Sequence, residues 1–410
     1  MFDGDRPRNL LVISIDTLRR DALARYGGGP GSETLDRLLA EGVALDQHTQ
    51  CSDWTFPSTT CTQAGRYLET LGVVPTIAEA NAPLPDLPAG LAGVLHDQGF
   101  ATLMASASVY LTSARNNAQG FDRDVQPDDR HVLGVWSAGR DMLRDALASG
   151  ADRWMLQLHV VEPHEPYTPP QSYLSGLDDL PPDPWGLGDG TSAYDVFDDW
   201  AQLSAEDQAL LVALERVRYL GEVAFLDDQL DTVLSELDAE GWLDDTLVML
   251  WSDHGESFFE HGHATHAWTL HAQENDGVAG FWAENLRPVA WGEPTTAVDL
   301  APTALEALGV PIPDDFDGEV VGTADPHRPR FAVVSGRAGV QQAVVQDHEK
   351  LLYDWSGRVY LYDRSADPGE LEDRAADRPE RVRALYELLE PRTAQLGSLL
   401  PDAPRPPDGL

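Results

Sequence analysis

Apolar and polar positions fall into two regimes along the chain. Apolar runs without alternation occur at NLLVISID (Asn9 to Asp16), FATLMASAS after Gln98, Trp154 to Val160, Leu247 to Trp251 and GVAGFWA after Asp276. Runs of this kind, closed by turn or polar residues, predict strands buried on both faces of a mainly parallel sheet. Between them lie segments with helical spacing: Leu35 to Glu41, Leu87 to Gln98, Trp136 to Ala148, Leu203 to Leu237 and Asp299 to Leu308. Strand and helix in turn predict an α/β fold, a parallel sheet flanked by helices. From Phe331 onward the pattern changes to short alternating runs, FAVVSG, QQAVVQ, EKLLYDW and RVYLYD, with turn residues between them. These predict a smaller C-terminal antiparallel sheet, followed by a helix from Pro379 to Leu389 and a loosely held Pro-rich tail. The expected division is an α/β part over 1–325 and the smaller part over 326–410. From Tyr173 to Trp200 the chain is rich in Pro, Gly, Asp and Trp, which reads as a long excursion over a site.

Chemistry-bearing residues stand at the ends of the predicted strands. Asp16 ends the first run and Asp253-His254 ends TLVMLWS. In open α/β sheets, ligands bind beyond the carboxyl ends of the strands. Thr55 opens the segment WTFPSTTCTQAGRY, which reads as a helix closing at Gly65. A hydroxyl there lies against free backbone N–H groups and the positive end of the helix dipole, which suits a nucleophile attacking an anionic centre; Thr, Ser58 and Thr59 are equally good helix caps. The pair Asp253-His254 reads either as metal ligands or as a cap followed by a surface imidazole.

The ordered set of motifs resembles the sulfatase-like branch of the alkaline phosphatase superfamily over roughly residues 8 to 378. Asp16 corresponds to that family's Asp after the first strand. Thr55-Phe-Pro57-Ser58 to Gly65-Arg66-Tyr67 corresponds to its nucleophile helix, and Asp253-His254-Gly255 to its later metal motif. PHEPY (His164 to Tyr167), EHGHATH (Glu260 to His266), VDLAPTALEALGV and LYDRSADPGELEDRA follow in family order. The resemblance implies one divalent metal ion held by Asp16, Thr55, Asp253 and His254. It implies catalytic roles for Thr55 as nucleophile and for His164 and His266 as proton donors or oxyanion partners. His261, His263 and His271 complete a dense imidazole cluster. A donor set of carboxylate, imidazole and hydroxyl suits Mn or Zn better than Ca or Mg. One metal is expected rather than two, because no D-x-x-x-H spacing accompanies His164.

Departures refine the expected function. Sulfatases of this family convert Cys or Ser to formylglycine; Thr55 cannot be converted, and Thr59 stands where the motif carries Arg. The resulting expectation is a hydrolase of phosphate esters, phosphodiesters or phosphonate monoesters before sulfates, acting through a covalent phospho-threonine on a small-molecule ester. The alternatives are a formylglycine-independent sulfate-ester hydrolase, a head-group transferase, or a non-catalytic metal- or carbohydrate-binding relative.

Composition narrows the partners. The 410-residue chain has a formal charge of −41, from 69 acidic against 28 basic residues, and Lys350 is its single lysine. That sign disfavours nucleic acid and anionic membrane surfaces and reads as a solvated acidic surface. No apolar run is long enough to span a bilayer, and MFDGDRPRN lacks a signal-peptide plan. The expectation is a soluble protein, cytoplasmic as written, or periplasmic or extracellular if a leader preceded it. The two cysteines, Cys51 and Cys61, read as buried thiols first, with a single bridge between them as the alternative in an oxidising compartment.

Overall fold

The computed structural model describes residues 2–174, 180–187, 196–197, 199–401 and 403. Strands β1 (Asn9–Ile15), β2 (Val43–Leu45), β3 (Ala101–Ser106), β4 (Arg123–Val125), β5 (Trp154–Val160), β6 (Thr246–Ser252), β7 (Ala279–Trp282) and β8 (Val289–Trp291) form one sheet in the order β8-β2-β7-β6-β1-β5-β3-β4. Pairing is parallel except around β7, which runs antiparallel to both β2 and β6. This is the mainly parallel α/β architecture that the apolar runs predict. The central strands are sealed on both faces: every residue of β5 and β6 is buried. Alternation along β1 sends Leu11, Ile13 and Ile15 to one face and Leu10 and Val12 to the other.

Helices α1 (Glu33–Glu41), α4 (Val132–Ala148) and the 35-residue α5 (Ala205–Ala239) pack on the first face. Helices α3 (Leu91–Asp97) and α6 (Leu300–Ala307) cover the second. The segment that opens with Thr55 forms α2 (Thr55–Ala64), which ends where Gly65 adopts a left-handed φ of 62°. That conformation is open to Gly without a Cβ penalty, so the helix stops at the expected residue. Three helices differ by a turn or more from their sequence patterns; α4 starts at Val132, one turn before Trp136. α3 starts at Leu91, since Pro88 and the residues around it leave no regular turn before it. α7 (Pro379–Leu399) continues through Pro391 because Leu385, Leu389 and Leu396 all bury against the C-terminal sheet.

That sheet is antiparallel: β9 (Arg330–Gly336), β10 (Gly339–Gln346), β11 (Glu349–Asp354) and β12 (Val359–Asp363) pair in sequence order. It shares its core with the rest of the chain on both faces. Val333, Val344 and Leu351 cluster with Cys51, Cys61 and Tyr67, while Ala332, Val334 and Leu352 cluster with Trp54, Phe56 and Ala267. The small sheet therefore supports the segment around Thr55 from two directions. Lys350 of β11 is fully buried, 3.2 Å from Glu370; Glu370 also meets Arg364 at 3.3 Å, and Asp276 takes Arg364 and, at 2.8 Å, Arg20. This buried ion chain ties the C-terminal sheet to the turn after β1. Among the described residues, no helix is long and apolar enough to cross a membrane. Half of the predicted excursion from Tyr173 to Trp200, and most of the tail, lie outside the described residues.

Candidate functional site

Strand order decides what meets at the sheet edge. β1 pairs with β5 on one side and β6 on the other, in registers Ser14↔His159 and Ile15↔Ser252. The ladder continues one residue beyond β1 and β6, since Asp16 N–H donates to Val160 O and Asp253 N–H donates to Ile15 O, each at 3.0 Å. Both carboxylates are thus held by their own backbones at the same carboxyl edge. Thr55 is the first residue of α2, and the N-cap is Trp54, which makes no side-chain cap bond. Ser58 Oγ donates to Asp253 O at 2.5 Å and pins the helix start over the edge.

Thr55 Oγ1 lies 3.3 Å from Asp16 Oδ2 and 3.4 Å from His254 Nε2. The same His254 nitrogen is 3.3 Å from Asp16 Oδ1 and 3.6 Å from Asp253 Oδ1. His254 Nδ1 faces Gly255 O at 2.9 Å, so that nitrogen carries a hydrogen and donates. In the neutral ring, Nε2 then points a lone pair at two carboxylates, an arrangement that calls for a cation or proton between them. Asp253 Oδ1 is occupied by the backbone N–H groups of Thr17 and His254. Asp16 Oδ1, Asp253 Oδ2 and His159 Nε2 are buried with no hydrogen-bond partner. Buried polar atoms without partners are costly, and ligand atoms of Asp16, His159 and Asp253 all lie within 4.8 Å of one another. The residues fit a divalent ion: two carboxylates and two imidazoles converge with unsatisfied atoms. Charge follows the same geometry. Burial works against ionisation of Asp16, yet His164, His159 and His254 hold its carboxyl well below the usual range. Burial and the Asp16 charge push Asp253 up to about 6, while for His254 the opposing effect of burial is outweighed by the two carboxylates, which raise it to about 10.

His159 is the site residue that the sequence pattern did not single out. Its ring lies 3.8 Å from Asp16, and its Nδ1 sits 2.9 Å from Ser14 Oγ. The available signal was a polar side chain inside a strand otherwise sealed on both faces; its meaning depended on β5 lying next to β1.

His164 and His266 reach the same rim from separate loops. His164 Nδ1 is 2.5 Å from Glu165 O, and its ring centre is 5.0 Å from that of His266. His266 packs 4.5 Å from the His254 ring and sets Nδ1 against Glu256 Oε1 at 3.0 Å. Its neighbours Thr265 and Ala267 have left-handed φ angles of 69° and 66°. Burial pushes the His266 imidazole down to about 4, whereas His164 is raised: burial opposes this, but the Asp16 and Glu256 charges prevail. The other three imidazoles turn elsewhere. His261 stacks on His271 at 3.6 Å, His271 meets Tyr362, and His263 meets Glu274 at 2.7 Å. The expectation for the cysteines is corrected: Cys51 and Cys61 form a disulfide with Cα atoms 6.7 Å apart. The cause is tertiary, because α2 folds back so that both side chains enter the same buried cluster with Tyr67.

Comparison with known proteins follows the same lines. Residues 8–310 match the family described as Sulfatase. A choline-sulfatase of Rhizobium meliloti (strain 1021) is 25% identical over 245 residues, 54% of this chain and 46% of that enzyme, so the chain spans about half the length of this curated relative. Among solved structures, the phosphonate monoester hydrolase SpPMH from Silicibacter pomeroyi superposes with a TM-score of 0.72 at 20% identity, covering 96% of each chain. The phosphonate monoester hydrolase of Agrobacterium radiobacter gives 0.73 at 18% identity, covering 95% of this chain and 96% of its own. A protein solved with its substrate D-glucosamine-2-N,6-O-disulfate gives 0.73 at 18%, covering 98% and 99%. At such identities the structural likeness establishes the fold alone, whereas the family match extends over most of the chain. The chain belongs to the sulfatase family.

Proposed function

We propose that the chain is a metal-dependent hydrolase of phosphate esters, preferring phosphodiesters or phosphonate monoesters, with Thr55 as nucleophile. The observation that carries this reading is the position of Thr55 Oγ1, 3.3 Å from Asp16 and 3.4 Å from His254, on a helix whose cap is a different residue. A hydroxyl serving only as a cap would turn back to its own helix N–H groups. A divalent ion held by Asp16, Asp253 and His254, with His159 beside Asp16, would supply Lewis-acid polarisation and favour the alkoxide form of a nearby hydroxyl. Zn or Mn suits two carboxylates and two imidazoles.

The chain's own groups account for the rest of the sequence of events. Thr55 Oγ forms a bond to phosphorus while the bond to the leaving oxygen breaks, and the Thr55 proton passes to solvent. His164, raised in proton affinity by Asp16 and Glu256, donates a proton to the departing alkoxide through the ring nitrogen not used by Glu165. Neutral His266, oriented by Glu256, accepts a proton from the water that then attacks phosphorus, and the Thr55 oxygen departs as the alkoxide and regains its proton from solvent. The threonine side chain favours phosphorus, because its ester must be opened at the central atom. The buried guanidinium of Arg19, on the turn after β1, is bound by Asp21 and Glu260. A monoanionic diester or phosphonate monoester therefore suits the site better than a phosphomonoester dianion.

The test is kcat/KM for matched aryl phosphodiester, phosphonate monoester, phosphomonoester and sulfate esters, with Thr55→Ala as control. The expected order puts the first two highest, and Thr55→Ala is expected to abolish turnover in a folded protein. Sulfate hydrolysis is the second reading, favoured by the choline-sulfatase relative. A sulfate ester turned over faster than the diester would establish it, and unchanged turnover in Thr55→Ala would remove Thr55 from the chemistry.

A further inference from the structure

The tautomer of His159 is set by a column of polar side chains on the second face of the sheet. Alternation along β1 and β5 puts Ser14, Gln157 and His159 on the side of Leu10, Val12 and Met155, and all three are buried. Helix α2 begins over the carboxyl edge with Thr55, and two turns further on its Gln63 Nε2 donates to Gln157 Oε1 at 3.3 Å. Gln157 Nε2 donates in turn to Ser14 Oγ at 3.5 Å. Ser14 Oγ stands 3.4 Å from Leu158 O and 2.9 Å from His159 Nδ1. A serine hydroxyl has one hydrogen and two lone pairs. Leu158 O can only accept, so it takes the hydrogen; Gln157 uses one lone pair, and the other is left for a hydrogen on His159 Nδ1. Turning the Gln157 amide over would offer Ser14 a second acceptor and lead to the same tautomer. Nε2 of the neutral ring then carries a lone pair, 3.8 Å from Asp16 Oδ2. That nitrogen is buried without a hydrogen-bond partner, as is Asp16 Oδ1. Acceptors facing each other in a sealed site call for a cation between them.

We propose that Ser14, oriented by Gln157 and Gln63, is a positioning residue that holds His159 with its hydrogen on Nδ1, so that Nε2 ligates the divalent ion alongside Asp16, Asp253 and His254. A hydrogen bond at the second ring nitrogen fixes the orientation of a ligating imidazole and raises its basicity. The separation fits, since donor atoms about 2.0 to 2.2 Å from one ion stand at most about 4.4 Å apart, and His159 Nε2 is 3.8 Å from Asp16 Oδ2. Because Gln63 belongs to the helix that Thr55 opens, the same column couples the orientation of this ligand to the seating of α2. The proposal rests on the metal-binding half of the reading above and adds the residues that prepare one ligand.

The experiment needs no turnover. Zinc affinity of the full chain, stripped by chelation, is measured by competition with a chromophoric chelator. The His159 ring is followed in long-range proton–nitrogen NMR correlation spectra of histidine-labelled protein, its signals identified by their loss in His159→Gln. Zinc-loaded wild type is expected to show hydrogen on His159 Nδ1 and zinc on Nε2. Ser14→Ala is expected to weaken zinc binding by about 10–100-fold and to let the His159 tautomers mix, whereas Ser14→Thr, which keeps the hydroxyl, restores both. A merely structural role would lower the melting temperature of the metal-free protein while leaving zinc affinity and tautomer as in wild type, and that outcome overturns the proposal. So does a hydrogen on His159 Nε2 in zinc-loaded wild type, a result that depends on no variant folding. Wild type that takes up neither zinc nor manganese would overturn the metal reading itself, and the proposal with it.

Discussion

Thr55 illustrates how one residue's role turns on a single position in a helix. As the residue before the helix it would have capped it; as the first residue inside, its hydroxyl faces Asp16 and His254. The metal reading has a consequence for stability that does not depend on turnover. Two buried carboxylates repel without a cation, so chelation is expected to lower the melting temperature and added Zn or Mn to restore it. A saturating ion at one hundred times its Kd adds about 2.7 kcal/mol. A melting temperature indifferent to chelation in metal-analysed samples would contradict the reading. A residue remote from the metal gives a pH signature. Glu222, on the buried side of α5, accepts a hydrogen bond from Thr168 N–H at 2.7 Å. Burial, and then Glu162, push its carboxyl up from 4.5 to about 7, although Thr168 and His131 oppose this. Its folded form binds the proton more tightly than the unfolded chain, so stability is highest below about pH 4.5 and declines as pH rises to about 7. Glu222→Gln is expected to flatten that decline in denaturant titrations; an unchanged slope would place the effect elsewhere. At this scale Asp16, Thr55, Asp253, His254, His164 and His266 were legible because they sit in motifs of characteristic order. His159 was not, because its partner is set by strand adjacency, which one sequence does not encode locally.

At the scale of elements, apolar runs located the central strands well because burial on both faces leaves an unambiguous pattern. The short edge strands β4 and β8 carry no comparable signal, since RDV and VAW are half exposed or exposed. The length of α7 and the Cys51–Cys61 bridge were likewise settled by tertiary packing. We propose residue 325 as a boundary between two sheets rather than between two independently folding domains, since the small sheet shares both its cores with the segment around Thr55. The buried ion chain through Lys350 is the sharpest test of that coupling. Lys350→Met would leave Glu370 buried with Arg364 as its cationic partner. Breaking one partner of a buried pair costs about 3–5 kcal/mol, read as a lower urea midpoint, with both sheets unfolding in one transition. Loss of the C-terminal sheet alone, with the metal site still intact, would make the parts independent.

For the whole molecule, charge is the dominant property. With 69 acidic and 28 basic residues, self-repulsion outweighs the exposed ion pairs, which each contribute little. Thermal stability is therefore expected to rise with NaCl as the screening length falls from about 30 Å at 0.01 M to about 3 Å at 1 M. A midpoint that fell with salt would mean that the Arg–Asp pairs prevail. The family was legible in the sequence because its motifs are ordered along most of the chain. The burial of Lys350 also makes the chain a reporter of its own opening. Its one side-chain amine is sealed inside β11, so an amine-acylating reagent or a lysine-directed protease finds no lysine to attack in the folded state. Each acylation at Lys350, counted by mass spectrometry over time, would mark one excursion in which the C-terminal sheet came apart, giving an unfolding clock with a single hand.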